Sequence, residues 1–169
     1  MMQIRACAIA APIATIVAAG AQCEQNTGPS SSQSPYVLPT NPGVQTQSLL
    51  TVGDTIGGYR LVGIPDGMGG LTNGDGSFTL FVNHELGTGS GGIRAHGSTG
   101  SFVSRWVINS ESREVLSGRD HNTSGSDVFT WNGAAYVAGT TTWGRFCSGD
   151  LAEPGAYRFG KLGTDTRIY

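Results

Sequence analysis

Asn83, His84 and Glu85 carry side chains that can do chemistry, and they follow an apolar run directly. If that run is a strand, Asn83 and Glu85 share one face and His84 points the opposite way. A carboxylate beside a carboxamide suits a hard cation such as Ca²⁺, which prefers oxygen ligands. The alternative is that Glu85 and His84 only solvate the mouth of a loop, as isolated polar side chains commonly do.

Arg94 and His96 follow soon afterwards in the sequence Arg-Ala-His-Gly. An arginine can place two N–H groups on phosphate oxygens, and a histidine can transfer a proton or bind a metal. These residue types predict a substrate-binding pair, although a surface turn leading to Ser101 explains the same residues. The spacing assigns no catalytic residue.

Cys147 is the only cysteine of the predicted folded part, and Asp150 lies three residues later. Three interpretations stay open: a small buried hydrophobe, a thiol paired with Cys23, or a thiolate metal ligand with Asp150 nearby. A fourth interpretation, a hydrolytic nucleophile, needs a base to activate the thiol. Only the three histidines of the chain are available for that role.

The elements that must position these groups are short strands rich in β-branched and aromatic residues, and no run predicts a convincing helix. The predicted strands are residues 59–64, 78–83, 102–108, 128–131 and 135–138. In the third of these, a period of two places Phe102, Ser104, Trp106 and Ile108 on one face. We expect that face to be buried.

Two glycine-containing segments predict turns. Asn132-Gly133 is a hairpin signal, because this pair supplies the positive φ values of a type I′ turn, and it would join the fourth strand to the fifth. The segment 73–76, Asn-Gly-Asp-Gly, predicts a second turn. A calcium loop is the alternative there, but an EF-hand loop needs further oxygen ligands and a glutamate at its twelfth position.

Composition and strand spacing predict the fold class. Glycine supplies 27 of 169 residues, and charged residues are 13% of the chain, about half of their usual share of roughly 25%. Short strands separated by turns predict an all-β fold: a sandwich, a barrel or antiparallel propeller blades. Blades take about 40 to 50 residues each, so we expect β-propeller-like blades in an incomplete propeller, the N-terminal part of a longer protein.

The first residues have the layout of a secretory signal peptide at 1–21: one basic residue at Arg5, an apolar alanine-rich stretch, and small residues up to Ala21. The apolar stretch is shorter than the ~20 residues that a membrane span needs. The sequence therefore predicts a secreted or periplasmic protein without a membrane span. Lipid attachment at Cys23 is a less favoured alternative, because Gln22 stands where a small residue is usual.

Residues 22–48 are rich in Ser, Pro, Asn, Thr and Gln, which predicts a flexible linker. The all-β domain is then expected at 49–169. The formal net charge of −2 gives no electrostatic reason to expect a nucleic acid or an anionic membrane as partner.

Four segments occur in an order that resembles the N-terminal region of secreted alkaline phosphatases of the PhoX type. They are residues 64–69, the strand ending in Asn-His-Glu, residues 94–97 and the Cys147 segment. The resemblance spans about residues 58–150, and Asn-His-Glu is its most specific part. The Cys147 segment departs from the threonine-cysteine-glutamate arrangement of that family, so a metal-binding role transfers more directly to Glu85 than to Asp150.

The resemblance implies a β-propeller whose centre holds calcium and iron and hydrolyses small phosphate monoesters outside the cytoplasm. It implies that Cys147 binds iron and that Glu85 binds a metal, with Asp150 in place of the family's glutamate and Asn83 beside them. Arg94 and His96 would then contact the ester, and we expect a monomer.

Two other functions remain open at this point. One is a non-catalytic surface or binding protein on a propeller scaffold, since a fold does not fix a function. The other is an esterase-like or lactonase-like hydrolase that uses calcium alone, in which Cys147 would only pack in the core.

Overall fold

The structure, a computed structural model, describes residues 24–169. The predicted signal peptide and Cys23 lie outside the described residues. In chain order the strands are β1 (Glu24–Thr27), β2 (Gln45–Ser48), β3 (Thr55–Ile56), β4 (Tyr59–Arg60), β5 (Pro65–Thr72), β6 (Ser77–His84), β7 (Phe102–Asn109), β8 (Val115–Asp120), β9 (Phe129–Trp131), β10 (Tyr136–Ala138), β11 (Tyr157–Phe159) and β12 (Leu162–Thr164). The one helical element in this range is a 3₁₀ turn at Gly125–Asp127. The expected lack of helices is thus confirmed for this part of the chain.

The strands form small sheets. Strands β5 to β8 make a four-stranded antiparallel meander, and the other strands form two-stranded pairs. Of those pairs, β1 with β2 is parallel, whereas β3 with β4, β9 with β10 and β11 with β12 are antiparallel. The all-β prediction is confirmed for residues 24–169, within which the sheets form no ring of blades.

One face of the four-stranded sheet, called the core face below, carries the hydrophobic core. On β7 the predicted alternation is confirmed, because its four core-facing side chains are at most 2% exposed. Each large apolar side chain buried in this way stabilises the fold by about 1.5 to 3 kcal/mol. The buried cluster on this face consists of Leu61, Val82, Trp106, Ile108 and Val115.

The opposite face, called the outer face below, is covered beside β5 and β6 by the C-terminal segment. Tyr169 stacks on Phe81 with ring centroids 5.1 Å apart, and Leu151 is buried there. Asn83 donates a hydrogen bond from its amide nitrogen to the carbonyl oxygen of Ser148 at 2.8 Å. Burial raises the pKa of Tyr169 to about 12, so its hydroxyl is a hydrogen-bond donor at neutral pH.

The sequence does not predict β5, because Pro-Asp-Gly-Met-Gly-Gly-Leu-Thr is rich in residues that strands avoid. Packing explains the glycines. A Cβ on Gly69 would lie 2.6 Å from the Cβ of Leu151, and a Cβ on Gly67 would overlap the backbone of Gly149. The bare backbone of β5 therefore lets the segment around Gly149 lie directly on the strand.

Strand β8 is also missing from the sequence prediction, and again a glycine is the reason. Gly118 lies under the Trp106 ring, where a Cβ would overlap the ring atoms. The predicted strand 59–64 is wrong beyond Arg60. Leu61 instead turns into the core, where it is 6% exposed, while its backbone N–H donates to the Asp54 carbonyl oxygen at 2.9 Å.

The hairpin predicted at Asn132-Gly133 is confirmed, since it joins β9 to β10. The type I′ turn is wrong, because only Gly133 of the pair has a positive φ, 102°. Four residues form the loop, and the Asn132 side-chain oxygen accepts hydrogen bonds from the N–H groups of Ala134 and Ala135 at 3.0 and 2.9 Å. Hydrogen bonds to the Asn132 side chain therefore stabilise this turn, and Asn132 does not need the positive φ of a type I′ turn.

The Asn-Gly-Asp-Gly segment is a turn between β5 and β6, as predicted. The Asp75 oxygen Oδ1 accepts hydrogen bonds from both the N–H and the hydroxyl of Ser77, at 3.0 and 2.6 Å. The backbone N–H of Asn73 donates to the Ser77 carbonyl oxygen at 3.0 Å. The carboxylate that a calcium loop would need is thus used to close the turn.

The described part of the predicted linker has regular pairing between β1 and β2. Between these strands, the Ser30 hydroxyl oxygen accepts a hydrogen bond from the Val115 N–H of β8 at 2.9 Å. Directly after β2, Leu49 and Leu50 pack against the core cluster.

Among residues 24–169, no helix has the length and hydrophobicity needed to cross a bilayer.

Candidate functional site

Glu85 and Cys147, both predicted metal ligands, lie in contact although 62 residues separate them in the chain. The Cys147 thiol donates to Oε1 of Glu85 at 3.2 Å, and Nη1 of Arg145 donates to the same oxygen at 3.3 Å. The Cys147 side chain is exposed and has no disulfide partner among residues 24–169, while Cys23, its predicted alternative partner, lies outside the described residues. The interpretation of Cys147 as a small buried hydrophobe is therefore wrong, because its sulfur faces a charged group at the surface.

Backbone hydrogen bonds hold the Cys147 segment beside the end of β6. The N–H of Arg145 donates to the carbonyl oxygen of Leu86 at 2.9 Å. The Ser101 hydroxyl donates to the same carbonyl at 2.8 Å and accepts from the Phe146 N–H at 3.1 Å. Ser101 is fully buried. The hydrogen bonds among Leu86, Ser101, Arg145 and Phe146, called the Ser101 junction below, therefore hold Cys147 next to Glu85.

The thiol and the carboxylate change each other's protonation. The hydrogen bond from Cys147 lowers the pKa of Glu85, and the nearby Arg145 acts in the same direction against partial desolvation. The hydrogen bond to Glu85 in turn raises the pKa of the Cys147 thiol, with desolvation and the charges of Glu85 and Asp66 adding to the effect. At neutral pH the pair is therefore a carboxylate that accepts a hydrogen bond from an un-ionised thiol.

Asp66 of β5 is a third member of this region that the site prediction from sequence left out. Asp66 lies close enough to affect Glu85, and its negative charge adds to the raised pKa of the Cys147 thiol. The signal for it was present, because Asp66 lies in the segment 64–69 that contributes to the family resemblance. Within residues 24–169, however, no group of three or more His, Cys, Asp or Glu side chains has the arrangement of a metal site.

The other two predicted metal ligands have different surroundings. Asn83 is 5% exposed, and its amide is used inside the protein: the nitrogen donates to Ser148, and the oxygen accepts from the Tyr169 hydroxyl at 3.0 Å. Asp150 is exposed on the segment that follows Cys147. Asn83 thus anchors the C-terminal segment, and Asp150 makes none of the hydrogen bonds that hold Glu85 to Cys147.

His84 lies on the core face, opposite to Asn83, as the strand parity predicts. Its Nδ1 is 2.8 Å from the carbonyl oxygen of Val62, so Nδ1 carries the proton, and Nε2 accepts from the Ser104 hydroxyl at 2.8 Å. The ring stacks on Phe102 with centroids 4.1 Å apart. Burial lowers the pKa of His84 to about 4, so the imidazole is neutral and part of the core.

Arg94, predicted to bind substrate, is placed over the core face. It forms an ion pair with Asp120, donates from Nη2 to the Tyr59 hydroxyl at 2.8 Å, and lies 3.8 Å above the Phe102 ring. Burial alone would raise the pKa of Asp120, but hydrogen bonds from Arg94, Tyr59 and the Ala95 N–H outweigh it and keep the pKa below its usual range. The arginine already has a carboxylate partner.

His96, the other predicted substrate-binding residue, is 1% exposed and stacks on Trp143 with ring centroids 4.4 Å apart. Its Nε2 is buried and has no hydrogen-bond partner in the part of the chain that the structure describes. Neither Arg94 nor His96 shares a hydrogen bond with Glu85 or Cys147. The structure brings together two predicted metal ligands, and the predicted substrate-binding pair makes no hydrogen bond to either of them.

No protein-family model, no curated protein and no solved structure matches this chain. The resemblance to PhoX-type phosphatases therefore stays a prediction that depends on the motifs alone.

Proposed function

We propose that this chain contributes to a secreted, metal-dependent phosphatase of the PhoX type that hydrolyses phosphate monoesters. The observation that supports the proposal is the 3.2 Å contact between the Cys147 sulfur and the Glu85 carboxylate. These are two of the four predicted metal ligands, and the fold joins them from distant positions in the sequence.

The donor chemistry fits this proposal at two positions. A thiolate is a soft ligand that suits iron, and a carboxylate suits both calcium and iron. Two side chains do not complete a coordination shell, which agrees with the finding that residues 24–169 contain no three-membered metal-binding group. Bound cations would neutralise the phosphoryl oxygens and make a bound water more acidic.

The chain's own residues set the conditions for metal binding. Cys147 must lose its proton before it can bind a cation, and its raised pKa means that the proton is still present at neutral pH. Because the thiol is exposed, that proton can leave to solvent. Arg145 donates a hydrogen bond to Oε1 of Glu85, the oxygen that also accepts from Cys147. Because the Arg145 side chain is 64% exposed, its guanidinium can turn toward a phosphate oxygen.

We also propose that the sheet of β5 to β8 is one blade of a β-propeller. A four-stranded antiparallel meander is the unit of that fold. The packing of Tyr169 on Phe81 and of Leu151 on Gly69 of β5 supports this, since a blade needs apolar contacts on both faces.

The proposal is tested by loading the purified full chain, with Cys7 and Cys23 replaced by Ser, with Co²⁺ under anaerobic conditions. Cobalt bound to a thiolate gives a charge-transfer absorption band that oxygen ligands do not give. We expect the band in this protein, its loss in Cys147→Ser, and at least tenfold weaker binding in Glu85→Gln. Glu111→Gln is the matched control, because Glu111 is an exposed carboxylate on the turn between β7 and β8.

Hydrolysis of 4-nitrophenyl phosphate is then measured on the longest chain that the gene encodes, with iron and calcium present and again after chelation, because an incomplete propeller is expected to be inactive alone. Metal-dependent hydrolysis that is lost in both variants supports the phosphatase. Cobalt binding without hydrolysis of any ester favours the non-catalytic binding protein, and hydrolysis of carboxylic esters with calcium alone favours the esterase-like enzyme. No thiolate band in the starting protein overturns the role given to Cys147.

A further inference from the structure

Two arginines lie side by side on the outer face of the sheet. Arg105 of β7 and Arg119 of β8 are directly opposed in the strand register. Side chains at opposed positions have Cβ atoms about 4.5 to 5.5 Å apart, and like charges placed there repel each other. This pair therefore needs negative charge nearby to be favourable.

The described residues do not supply that charge as an ion pair. The four ion pairs between residues 24 and 169 involve other arginines. Nη2 of Arg105 makes one long contact with the Thr79 hydroxyl at 3.4 Å, and Nη1 of Arg119 donates to the carbonyl oxygen of Asp120 at 3.0 Å. The Nε of Arg105 is buried without a hydrogen-bond partner in the part of the chain described.

His121, which directly follows β8, feels the same charges. Partial burial lowers the pKa of His121, and the positive charges of Arg119 and Arg105 lower it further, against the weaker opposite effect of Asp127. Its ring meets the edge of Phe81 with centroids 5.0 Å apart. Phe81 is also the cross-strand neighbour of Arg105 on β6, so the two arginines have an apolar wall on one side.

Arg105 and Arg119 have fewer partners around their guanidinium groups than Arg94 on the core face. Arg94 has the Asp120 carboxylate, the Tyr59 hydroxyl and an aromatic ring around its guanidinium. A guanidinium has five N–H donors in a planar fork that matches an oxyanion. Most N–H donors of Arg105 and Arg119 have no partner among the described residues. The two side chains project from the neighbouring strands β7 and β8.

We propose that Arg105 and Arg119 together bind a phosphate-sized oxyanion on the outer face of the sheet. The two guanidinium groups hold the anion between them, and the bound charge removes their mutual repulsion. This site does not depend on the proposed phosphatase activity, because neither arginine takes part in the Glu85–Cys147 contact.

The test is a titration of the full chain with inorganic phosphate in the presence of a chelator, which removes any metal-bound phosphate. Sodium chloride at equal ionic strength is the reference. We expect phosphate to raise the melting temperature above the chloride value, and to shift the amide NMR signals of β7 and β8. Arg119→Gln should weaken phosphate binding about tenfold or more, the loss expected for a charge-assisted hydrogen bond.

Arg113→Gln is the matched control, since Arg113 is an exposed arginine on the turn between β7 and β8. The Arg113→Gln variant should bind phosphate like the unchanged protein. Arg105→Gln, like Arg119→Gln, should lose binding. Should that variant fail to fold, Arg119→Gln decides alone, because Arg119 is exposed and its removal leaves the core intact. Equal effects of phosphate and chloride, or unchanged binding in Arg119→Gln, would overturn the proposal.

Discussion

On the core face of the four-stranded sheet, Arg94 and Asp120 are buried against each other, with side chains only 17% and 8% exposed. On the outer face, Arg105 and Arg119 are opposed without an ion-pair partner among the described residues. The core face thus uses its charges to hold the fold together. The outer face leaves its charges available to a ligand.

The same contrast separates the two histidines at the strand ends. His84 has both ring nitrogens in hydrogen bonds and its ring stacked on Phe102. His121 lies beside two positive charges at the edge of the sheet. A residue type that is common in active sites is structural on one face, so the environment of a histidine, and not its presence, decides its role.

The largest expected effect comes from breaking the charge pair on the core face. Asp120→Ala leaves Arg94 and the Tyr59 hydroxyl without their acceptor in a buried place. We expect the free energy of unfolding to fall by about 3 to 5 kcal/mol, measured by urea denaturation. The matched control is Asp165→Ala, which removes an exposed pair with Arg158 and should cost about 0 to 1 kcal/mol. Similar losses in both variants would contradict the contrast between buried and exposed charge.

The next effect is the dependence of stability on pH through His84. The unfolded chain takes up a proton on this histidine near pH 6.5, and the folded chain does so only near pH 4. Between these values the unfolded state binds more protons, so stability must fall as the pH falls. The shift corresponds to a loss of about 3 kcal/mol across the window.

His84→Gln removes this titration, and the difference between the two proteins isolates it from the carboxylates. We expect the variant to be less stable at pH 7 and to have a flatter stability curve between pH 6.5 and 4. The stability that Asp120 contributes, which comes from a lowered pKa, is lost mainly below pH 4. An unchanged slope in His84→Gln would show that the histidine is not held neutral by burial.

A smaller effect is expected from the glycines on the outer face. Gly69→Ala places a methyl group against Leu151 and should cost about 1 to 3 kcal/mol, as overpacking usually does. Gly70→Ala, the next residue, meets nothing within 4 Å and is the matched control. Equal urea midpoints for the two variants would mean that the segment around Leu151 does not lie on β5 in solution.

The smallest effect concerns the reactivity of Cys147. Because the Glu85 carboxylate raises the pKa of this thiol, alkylation by iodoacetamide at neutral pH should be slow and should speed up in Glu85→Gln. Alkylation is followed by mass spectrometry in the protein without Cys7 and Cys23. Glu111→Gln should react like the parent protein, and a rate that is unchanged in Glu85→Gln would count against the thiol–carboxylate contact.

The sequence predicts the parts of the fold that depend on local pattern. The run 102–108 has β-branched and aromatic residues at a period of two, so both its strand and its buried face could be predicted. Strands β5 and β8 could not, because Gly69 and Gly118 are set by what packs on them and not by strand propensity. Such close contacts are tertiary and leave no local pattern.

The site shows the same limit. The residue types and the family resemblance indicate Glu85 and Cys147, but their contact depends on the buried Ser101 junction, which no sequence pattern predicts. The sequence predicts that Arg94 binds substrate, because an arginine suits phosphate. Its partner Asp120 is 26 residues away, so only the fold reveals that its charge is already paired.

The central proposal is that Cys147 and Glu85 are metal ligands, and X-ray absorption spectroscopy of the zinc-loaded full chain tests it most directly. The protein carries Ser in place of Cys7 and Cys23, so that Cys147 is its one thiol. We predict a sulfur neighbour at about 2.3 Å from the metal, absent in Cys147→Ser, with fewer oxygen neighbours in Glu85→Gln. A coordination shell of oxygen and nitrogen alone in the parent protein would contradict the claim.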